Sequence, residues 1–272
     1  NGWIMSATSY GTILSSAGAF GGTGLILVGT WTFSNITGTA NILSNVSAGF
    51  PVTLRTVGSD PSVELIRNLT SFFVNPVSAH STNSTLTFIG RISAPSGPIG
   101  GSMFIISGGT LNWTFSGQSN IGGASIVTCT IGGSYSITGT EIVSNSNGSI
   151  PILSAGGSGT FLSSFNLVST GTQPSVSAIG MVFRIGTAIT NPIVHTGNIV
   201  ITGNLALVSA SAAGRFKINP GTIIVPVGAQ LYAWLVNSMI LDLSDVVIQN
   251  SGKIAIISIY SSTVITTENT LI

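Results

Sequence analysis

The chain has 272 residues, of which 5% are charged and 43% hydrophobic, and its net charge at pH 7 is +1. A soluble domain ordinarily has roughly 25% charged residues, and phosphate backbones are bound by clusters of Lys and Arg, so this composition argues against a nucleic-acid partner. Apolar runs are interrupted by Gly, Ser or Thr well before the roughly 20 residues that a membrane-spanning helix needs, so no transmembrane span is predicted.

The N-terminal region lacks charge, and Arg55 is the first charged residue. Small and apolar residues alternate here. They predict either an ordinary first hairpin or an extended arm over residues 1–30 that adds a strand to a neighbouring subunit. Because the chain begins with Asn1 and not with Met, we expect a secretion signal to have been removed upstream.

Two stretches resemble each other: GLILVGTWTFS at 24–34 and SMFIISGGTLNWTFS at 102–116, with a fainter copy, GMVFRIGTAIT, from Gly180. Each has an apolar run, a Gly-Thr break and a second run that alternates apolar and hydroxyl side chains. This pattern is typical of a hairpin with a buried strand, a turn and a half-buried strand.

One stretch predicts a helix. In DPSVELIR, residues 60–67, Asp60 can cap, Pro61 suits the first helical position, and Glu64 and Arg67 can pair. Elsewhere short strands alternate with turn residues. In GTIIVPVG, from Gly221, a strand is predicted with Ile223, Val225 and Val227 on one face.

The regular spacing of strands and turns predicts an all-β fold. Antiparallel β-sandwiches in tandem units of about 80–100 residues account for this spacing. A β-solenoid is the alternative, although its usual period of about 20–30 residues cannot be phased on the chain. The predicted divisions are an arm or first hairpin at 1–30 and β units at 31–100, 101–179 and 180–272, or else one continuous β domain.

Side chains suited to catalysis or metal binding are scarce. Cys129 lies in a strand-like run and is interpreted as a small buried hydrophobe. We interpret His80 as solvated in a polar loop and His195 as a hydrogen-bonded structural residue near a strand end. Asp242 and Asp245 are the only close carboxylate pair and a weak candidate for a metal site. We therefore predict no catalytic residue, no enzyme activity and no bound cofactor.

The motif with a direct physical consequence is the N-glycosylation sequon, which marks a possible sugar attachment site. With 71 of the 272 residues Ser or Thr and few charged, attached sugar would supply the solubility that charge does not. All six sequons fall in the first 150 residues, and covalent N-linked glycans are predicted at one or more of them. The candidate sites are Asn35, Asn45, Asn68, Asn83, Asn112 and Asn147.

In its low charge, neutral N-terminal arm, β pattern and Ser/Thr coat, the chain resembles secreted microbial filament subunits and surface-layer glycoproteins, especially archaeal ones. The resemblance implies an extracellular or cell-surface structural subunit that binds copies of itself through β-strand addition and apolar contacts. Two alternatives stay open. One is a viral coat or tail-fibre protein, and the other is a carbohydrate-binding adhesin module, for which Trp3, Trp31 and Trp113 could form a stacking face.

Overall fold

A computed structural model describes strand segments between residues 3 and 106 and most of the chain from 109 to 266. Side-chain surroundings are described from Phe104 onward. The following stretches lie outside the description: 1–2, 7–24, 35–45, 58–61, 64–71, 75–84, 90, 93–101, 107–108, 124, 130–131, 146–150, 171–179, 211, 219–220, 236–237, 245, 259–261 and 267–272.

The described secondary structure consists of β-strands. In chain order they are β1 (Trp3–Ser6), β2 (Leu25–Ser34), β3 (Val46–Val57), β4 (Ser62–Val63), β5 (Phe72–Val74), β6 (Thr85–Ile89), β7 (Arg91–Ile92), β8 (Ser102–Ile106), β9 (Thr110–Thr114), β10 (Gln118–Asn120), β11 (Ser125–Cys129), β12 (Ser134–Ser144), β13 (Pro151–Gly157), β14 (Phe161–Ser169), β15 (Gly180–Ile189), β16 (Ile193–Thr196), β17 (Ile199–Ile201), β18 (Asn204–Ala210), β19 (Gly214–Ile218), β20 (Gly221–Val225), β21 (Gln230–Leu235), β22 (Met239–Asp242), β23 (Val246–Asn250), β24 (Lys253–Ser258) and β25 (Thr263–Ile265).

The chain is a β-solenoid with three parallel ladders. Ladder 1 runs through β8, β11, β13, β15, β18, β21 and β24. Ladder 2 runs through β1, the second halves of β2 and β3, then β6, β9, the first halves of β12 and β14, and then β16, β19, β22 and β25. Ladder 3 runs through β10, the second halves of β12 and β14, and then β17, β20 and β23. The chain visits the ladders in the order 1, 2, 3 and then begins the next turn, as in a parallel β-helix.

The number of residues in one turn of the coil varies. Paired residues are 21 positions apart at Leu25 and Val46 and 34 positions apart at Leu54 and Phe88. This variation explains why no fixed period can be read from the sequence. Additional residues are accommodated between strands and at register shifts within them, as between Thr138 and Glu141 of β12.

The core lies inside the coil and consists of columns of stacked side chains. In many strands whose burial is described, alternate residues point inward, as in β14, where Phe161, Phe165 and Leu167 are buried and Leu162 is 42% exposed. In β11 and β13, by contrast, consecutive residues are buried. Parallel pairing places each inward residue directly above its partner in the next turn. One column of ladder 2 contains Leu111, Tyr135, Phe161, Ile193, Phe216 and Leu241. These six side chains are all buried.

The predicted antiparallel β-sandwich is wrong, and the β-solenoid alternative is confirmed. Every recorded strand pair is parallel, whereas a sandwich of hairpins requires antiparallel neighbours. The expected hairpin at 102–116 is wrong for the same reason. Strand β8 pairs with β5 and β11 in ladder 1, whereas β9 pairs with β6 and β12 in ladder 2.

The repeated Trp-Thr-Phe-Ser stretch nevertheless marks one position in the coil. Trp31 pairs with Leu54, Leu54 with Phe88, and Phe88 with Trp113. The two tryptophans therefore occupy one register position of ladder 2, three turns apart. Recurrence of similar sequences at equivalent positions of different turns is typical of a repeat architecture.

Two local predictions also differ from the structure. Within the predicted helix at 60–67, Ser62–Val63 is a strand that pairs with Arg91–Ile92. In GTIIVPVG, Ile223 and Val225 are buried as expected, but Val227 is 84% exposed. Strand β20 ends at Val225, and the chain turns at Val227–Gly228, where Gly228 has a φ of 86°.

The predicted divisions of the chain stay predictions. Ladder pairs join strands on either side of residue 100, between β5 and β8, and on either side of residue 179, between β13 and β15. In the predicted arm, Trp3–Ser6 pairs in parallel with Trp31–Ser34 of the same chain.

The stacked core predicts a large cost for truncating Phe183. This ring is fully buried, with its centroid 4.2 Å from that of Phe216 and 5.5 Å from that of His195. Phe183→Ala should lower the free energy of unfolding by about 3–5 kcal/mol, because it removes apolar contacts and leaves a cavity. Urea denaturation followed by circular dichroism measures this change. Leu162→Ala, on the outer surface, is the matched control and should cost less than about 1 kcal/mol. Equal losses in the two variants would contradict the observed alternation.

Candidate ligand-binding groove

A groove of about 440 Å³ lies on the outside of the coil, at the corner where ladder 2 meets ladder 3. Three consecutive turns form it, contributed by β12, by β14 and by the end of β16. The lining residues are Gly139, Thr140, Ser164, Phe165, Asn166, Thr196 and Gly197. All of them are uncharged, and four have hydroxyl or amide side chains.

Two glycines shape the groove. A Cβ on Gly139 would run into the ring of Phe115, and a Cβ on Gly197 would meet the backbone carbonyl of Phe165. Gly197 also has a φ of 126°, which side chains with a Cβ rarely adopt. The structure therefore needs glycine at both positions, because the Phe115 ring occupies the space of a Cβ at Gly139 and the Phe165 carbonyl that at Gly197.

The polar lining has hydrogen-bonding groups that the described protein leaves available. Thr140 Oγ1 accepts from the backbone N–H of Gly117 at 3.1 Å, so its own hydrogen is free to donate. Asn166 Oδ1 accepts from the N–H of Asn198 at 3.0 Å, which leaves its NH₂ group. Ser164 is exposed on the outer face of β14. A ligand in the groove would therefore meet these donors and hydroxyl oxygens beside a larger apolar surface.

Two asparagines form hydrogen bonds between successive turns at this corner. Asn198 repeats the role of Asn166 one turn later, because its Oδ1 accepts from the N–H of Thr222 at 3.1 Å. The N–H of Leu167 in turn donates to the carbonyl of Asn198 at 2.7 Å. Each bond joins successive turns where the strand ladder is interrupted, so the bend keeps its backbone hydrogen-bonded.

A polar pair lies inside the coil, directly beneath the groove. Ser163 and His195 are neighbours in a ladder 2 column that also contains the apolar residues Trp113, Ile137 and Ile218. The Ser163 Oγ and His195 Nδ1 atoms are 2.9 Å apart. This contact agrees with the interpretation of His195 as a hydrogen-bonded structural residue, whereas His80 lies outside the described residues.

The second nitrogen of His195 lacks a hydrogen-bond partner within the described part of the protein. The imidazole is fully buried, with its ring centroid 5.1 Å from Phe165 and 5.5 Å from Phe183. Burial lowers the pKa of His195 from 6.5 to about 4, because the apolar surroundings disfavour the charged form. His195 is therefore neutral at physiological pH.

Cys129 is buried, as predicted, and its thiol faces the interior next to Gly133. Burial raises the pKa of Cys129 to about 12, so the thiolate needed for nucleophilic chemistry does not form near neutral pH. Burial, and secondarily the charge of Cys129, also raises the pKa of the neighbouring Tyr135.

The structure places Asp242 in an ion pair. This carboxylate is only 1% exposed, and it accepts hydrogen bonds from the N–H of Ser244 at 3.0 Å, from Ser244 Oγ at 2.5 Å and from the Arg215 guanidinium. Burial opposes ionisation, but the hydrogen bonds from Ser244 and Arg215 outweigh it and lower the pKa of Asp242. Asp245 lies outside the described residues, and within them no group of three potential metal ligands occurs. The metal site at Asp242 and Asp245 stays a prediction.

Among the glycosylation candidates, only Asn112 falls within the structure's description. It is half-buried in the middle of β9, between Thr87 of one turn and Ser136 of the next. The other five, Asn35, Asn45, Asn68, Asn83 and Asn147, lie outside the described residues. Glycosylation at all six stays a prediction.

Reasoning from the sequence did not single out the groove residues. Alternation in FLSSFNLVS places Ser164 on the face opposite Phe161 and Phe165, so the outward direction could have been read locally. The neighbours of Ser164 in the adjacent turns could not be identified from the local sequence. Ser164 pairs with Thr138 on one side and Thr196 on the other, which requires the parallel register of three turns.

Comparison of the chain with protein-family models, curated proteins and solved structures finds no match. Within the residues that the structure describes, no helix has the length and hydropathy needed to cross a membrane.

The glycine requirement at the groove can be tested with a matched pair. In Gly139→Ala the new methyl group overlaps the Phe115 ring, whose centroid is 4.6 Å from that of Trp113. We expect a loss of about 1–3 kcal/mol in the free energy of unfolding. Gly186→Ala is the control because a Cβ there has no atom within 4 Å, and it should change stability by less than about 0.5 kcal/mol. Chemical denaturation measures both, and an unchanged Gly139→Ala would contradict the packing described.

The Asp242 ion pair predicts a specific dependence on pH. Because folding lowers the pKa of this carboxyl, its stabilising effect is present above the usual Asp pKa of 3.8 and is lost as the pH falls through the folded value. Asp242→Asn should cost about 1–3 kcal/mol at pH 7 and progressively less at lower pH. Thermal unfolding between pH 7 and pH 3 tests this. Glu141→Gln, at the half-buried partner of Gln118, is the control. A deficit in Asp242→Asn that is constant across this range would contradict the assignment.

Proposed function

We propose that this protein is a carbohydrate-binding adhesin module, a rigid extracellular β-solenoid whose corner groove holds a neutral sugar. The observation that carries the proposal is the groove lining, which combines hydroxyl and amide groups with two glycines and contains no ionisable side chain. Sugar hydroxyls both donate and accept, so they match the available groups of Thr140, Ser164 and Asn166.

The surrounding surface is consistent with a neutral, hydroxylated ligand. Outward positions of ladder 2 near the groove are hydroxyl side chains: Thr114, Thr138, Ser164 and Thr196 pair in register, one from each of four turns. An anionic ligand would need cations, and the lining has none. Phe165 forms part of the floor but is only 3% exposed, so hydrogen bonding and not ring stacking would dominate the contact.

The side chains that line the groove also bear on whether a bound sugar would be hydrolysed. Glycoside hydrolysis uses a pair of carboxyl groups on either side of the scissile bond. The groove lining contains hydroxyl and amide side chains and no carboxyl group. We therefore propose binding without turnover, which keeps the sequence-based expectation that the protein is not an enzyme.

The filament-subunit and tail-fibre interpretations remain predictions. Both place the protein outside the cell and both require copies of the chain to associate. They are compatible with a glycan-binding groove, because a rod that assembles end to end would present one groove per subunit and raise the apparent affinity for a polymer.

Ser164→Ala tests the proposed function directly. This side chain is exposed and lines the groove, so its truncation should leave folding intact and remove one hydrogen bond to the sugar. A neutral bond of this kind predicts a loss in affinity of about 2- to 10-fold. Affinity electrophoresis through gels containing neutral polysaccharides of different linkage, followed by calorimetry on the one that retards the protein, measures it.

Ser136→Ala is the matched control, because Ser136 lies on the same outer face of ladder 2 but outside the groove. It should bind as the unchanged protein does. Failure of every neutral polysaccharide to retard the protein would overturn the proposal, as would equal losses in the two variants.

A further inference from the structure

The groove and the buried Ser163–His195 pair are two faces of the same strand segments. Along β14, Ser163 points inward and Ser164 outward, and along β16, His195 points inward and Thr196 outward. Ser164 and Thr196 line the groove and are themselves a register pair. Any rearrangement of the buried pair must therefore move the groove wall.

Contacts on the inside reinforce this connection. The Phe165 ring lies 5.1 Å from the His195 ring in an edge-on arrangement, and Phe165 also forms part of the groove floor. Its backbone carbonyl lies against the Cα of Gly197, which lines the groove two residues beyond His195. His195 is therefore connected to the groove in two ways, through its contact with the Phe165 ring and through its own strand.

The surroundings of His195 disfavour a positive charge on the ring. In the described residues its inward neighbours are apolar apart from Ser163, whose hydroxyl is already 3.4 Å from the carbonyl of Val194. A protonated ring would donate from both nitrogens, and Nε2 has no acceptor among these residues. A buried donor with a full charge and no partner strongly destabilises the closed structure.

Charged groups on the packed elements face away from the ring. Arg184 of β15 and Arg215 of β19 are exposed, and Lys217 of β19 is half-buried between inward-facing Phe216 and Ile218. Glu141 of β12 accepts a hydrogen bond on the surface from Gln118 at 2.6 Å. Described residues of β14 and β16 other than His195 are not titratable. No carboxylate in the described structure is therefore placed to compensate a charge on His195.

We infer that the groove is acid-sensitive: protonation of His195 separates β14 from β16 at the Ser163–His195 pair, and a bound neutral sugar is released. The release step rests on the function proposed above, whereas the opening step does not. The protein would then bind its ligand near neutral pH and release it in an acidified environment.

The direction and the pH range of groove opening follow from the linkage between proton binding and folding. The folded state binds the proton more weakly than an exposed histidine does, since the pKa of His195 falls from 6.5 to about 4 on folding. The closed groove is therefore fully stable above pH 6.5. Below that, each pH unit down to about 4 raises the open fraction by about tenfold, and the effect then levels off.

Hydrogen exchange measured by mass spectrometry tests the opening without any ligand. In the unchanged protein, amides of β14 and β16, corrected for intrinsic rates, should lose about tenfold protection per pH unit between 6.5 and 4.5. The double variant Ser163→Ala with His195→Leu removes the titrating group and leaves no unpaired hydroxyl, so its protection should not change with pH. Asp242→Asn is the control for the other buried ionisable group and should keep the full pH dependence.

Two results would overturn the inference: equal pH dependence in the unchanged protein and the double variant, or protection in β14 and β16 that is constant with pH. If the double variant does not fold, titration of the His195 Cε1 proton in the unchanged protein decides the same point, and a value near 6.5 would contradict the inference. Binding to the retarding polysaccharide at pH 7 and pH 4.5 tests release. A pH-dependent opening with no polysaccharide bound at any pH would refute the proposed function and leave the opening step standing.

Discussion

In-register parallel stacking is the constraint on which the rest of this structure depends. A single turn of the coil exposes its apolar face at both ends and buries it only against the turns above and below, roughly 4.8 Å away. Each inward position must therefore fit the residue 21 to 34 positions further along the chain. The outer surface is free of that requirement, which is why it can be covered by hydroxyl side chains with so few charges.

Much of the local structure could be predicted from the sequence, because burial alternates along strands such as β12, β14 and β16. Ile223 and Val225 are inward as expected, and Cys129 is buried. Pairing direction could not be predicted, since an isolated strand has the same alternation whether its neighbour is parallel or antiparallel. Turns of unequal length also concealed the period that would have favoured the solenoid. Val227 was misassigned because alternation does not show where a strand ends.

The groove residues could not be predicted from the sequence for the same reason. Ser164 and Thr196 are 32 positions apart, and only the register of β14 and β16 makes them neighbours. No motif marks them, and each alone is an ordinary surface hydroxyl. Gly197 was the more informative residue, because a glycine beside a strand often marks close approach of another backbone. The buried His195 pairs with Ser163 in the adjacent position of the same two strands, so the binding surface and its proposed response to acid arise from one structural feature.

The central claim is that the corner groove binds a neutral sugar, and mapping of backbone amide chemical shifts during titration with a neutral oligosaccharide tests it most directly. Perturbed amides should cluster at Gly139, Thr140, Ser164, Asn166 and Gly197, which line one site contributed by three turns. Saturating shifts confined to these positions would support the account. Shifts centred on another face of the coil, or none at saturating sugar, would contradict it.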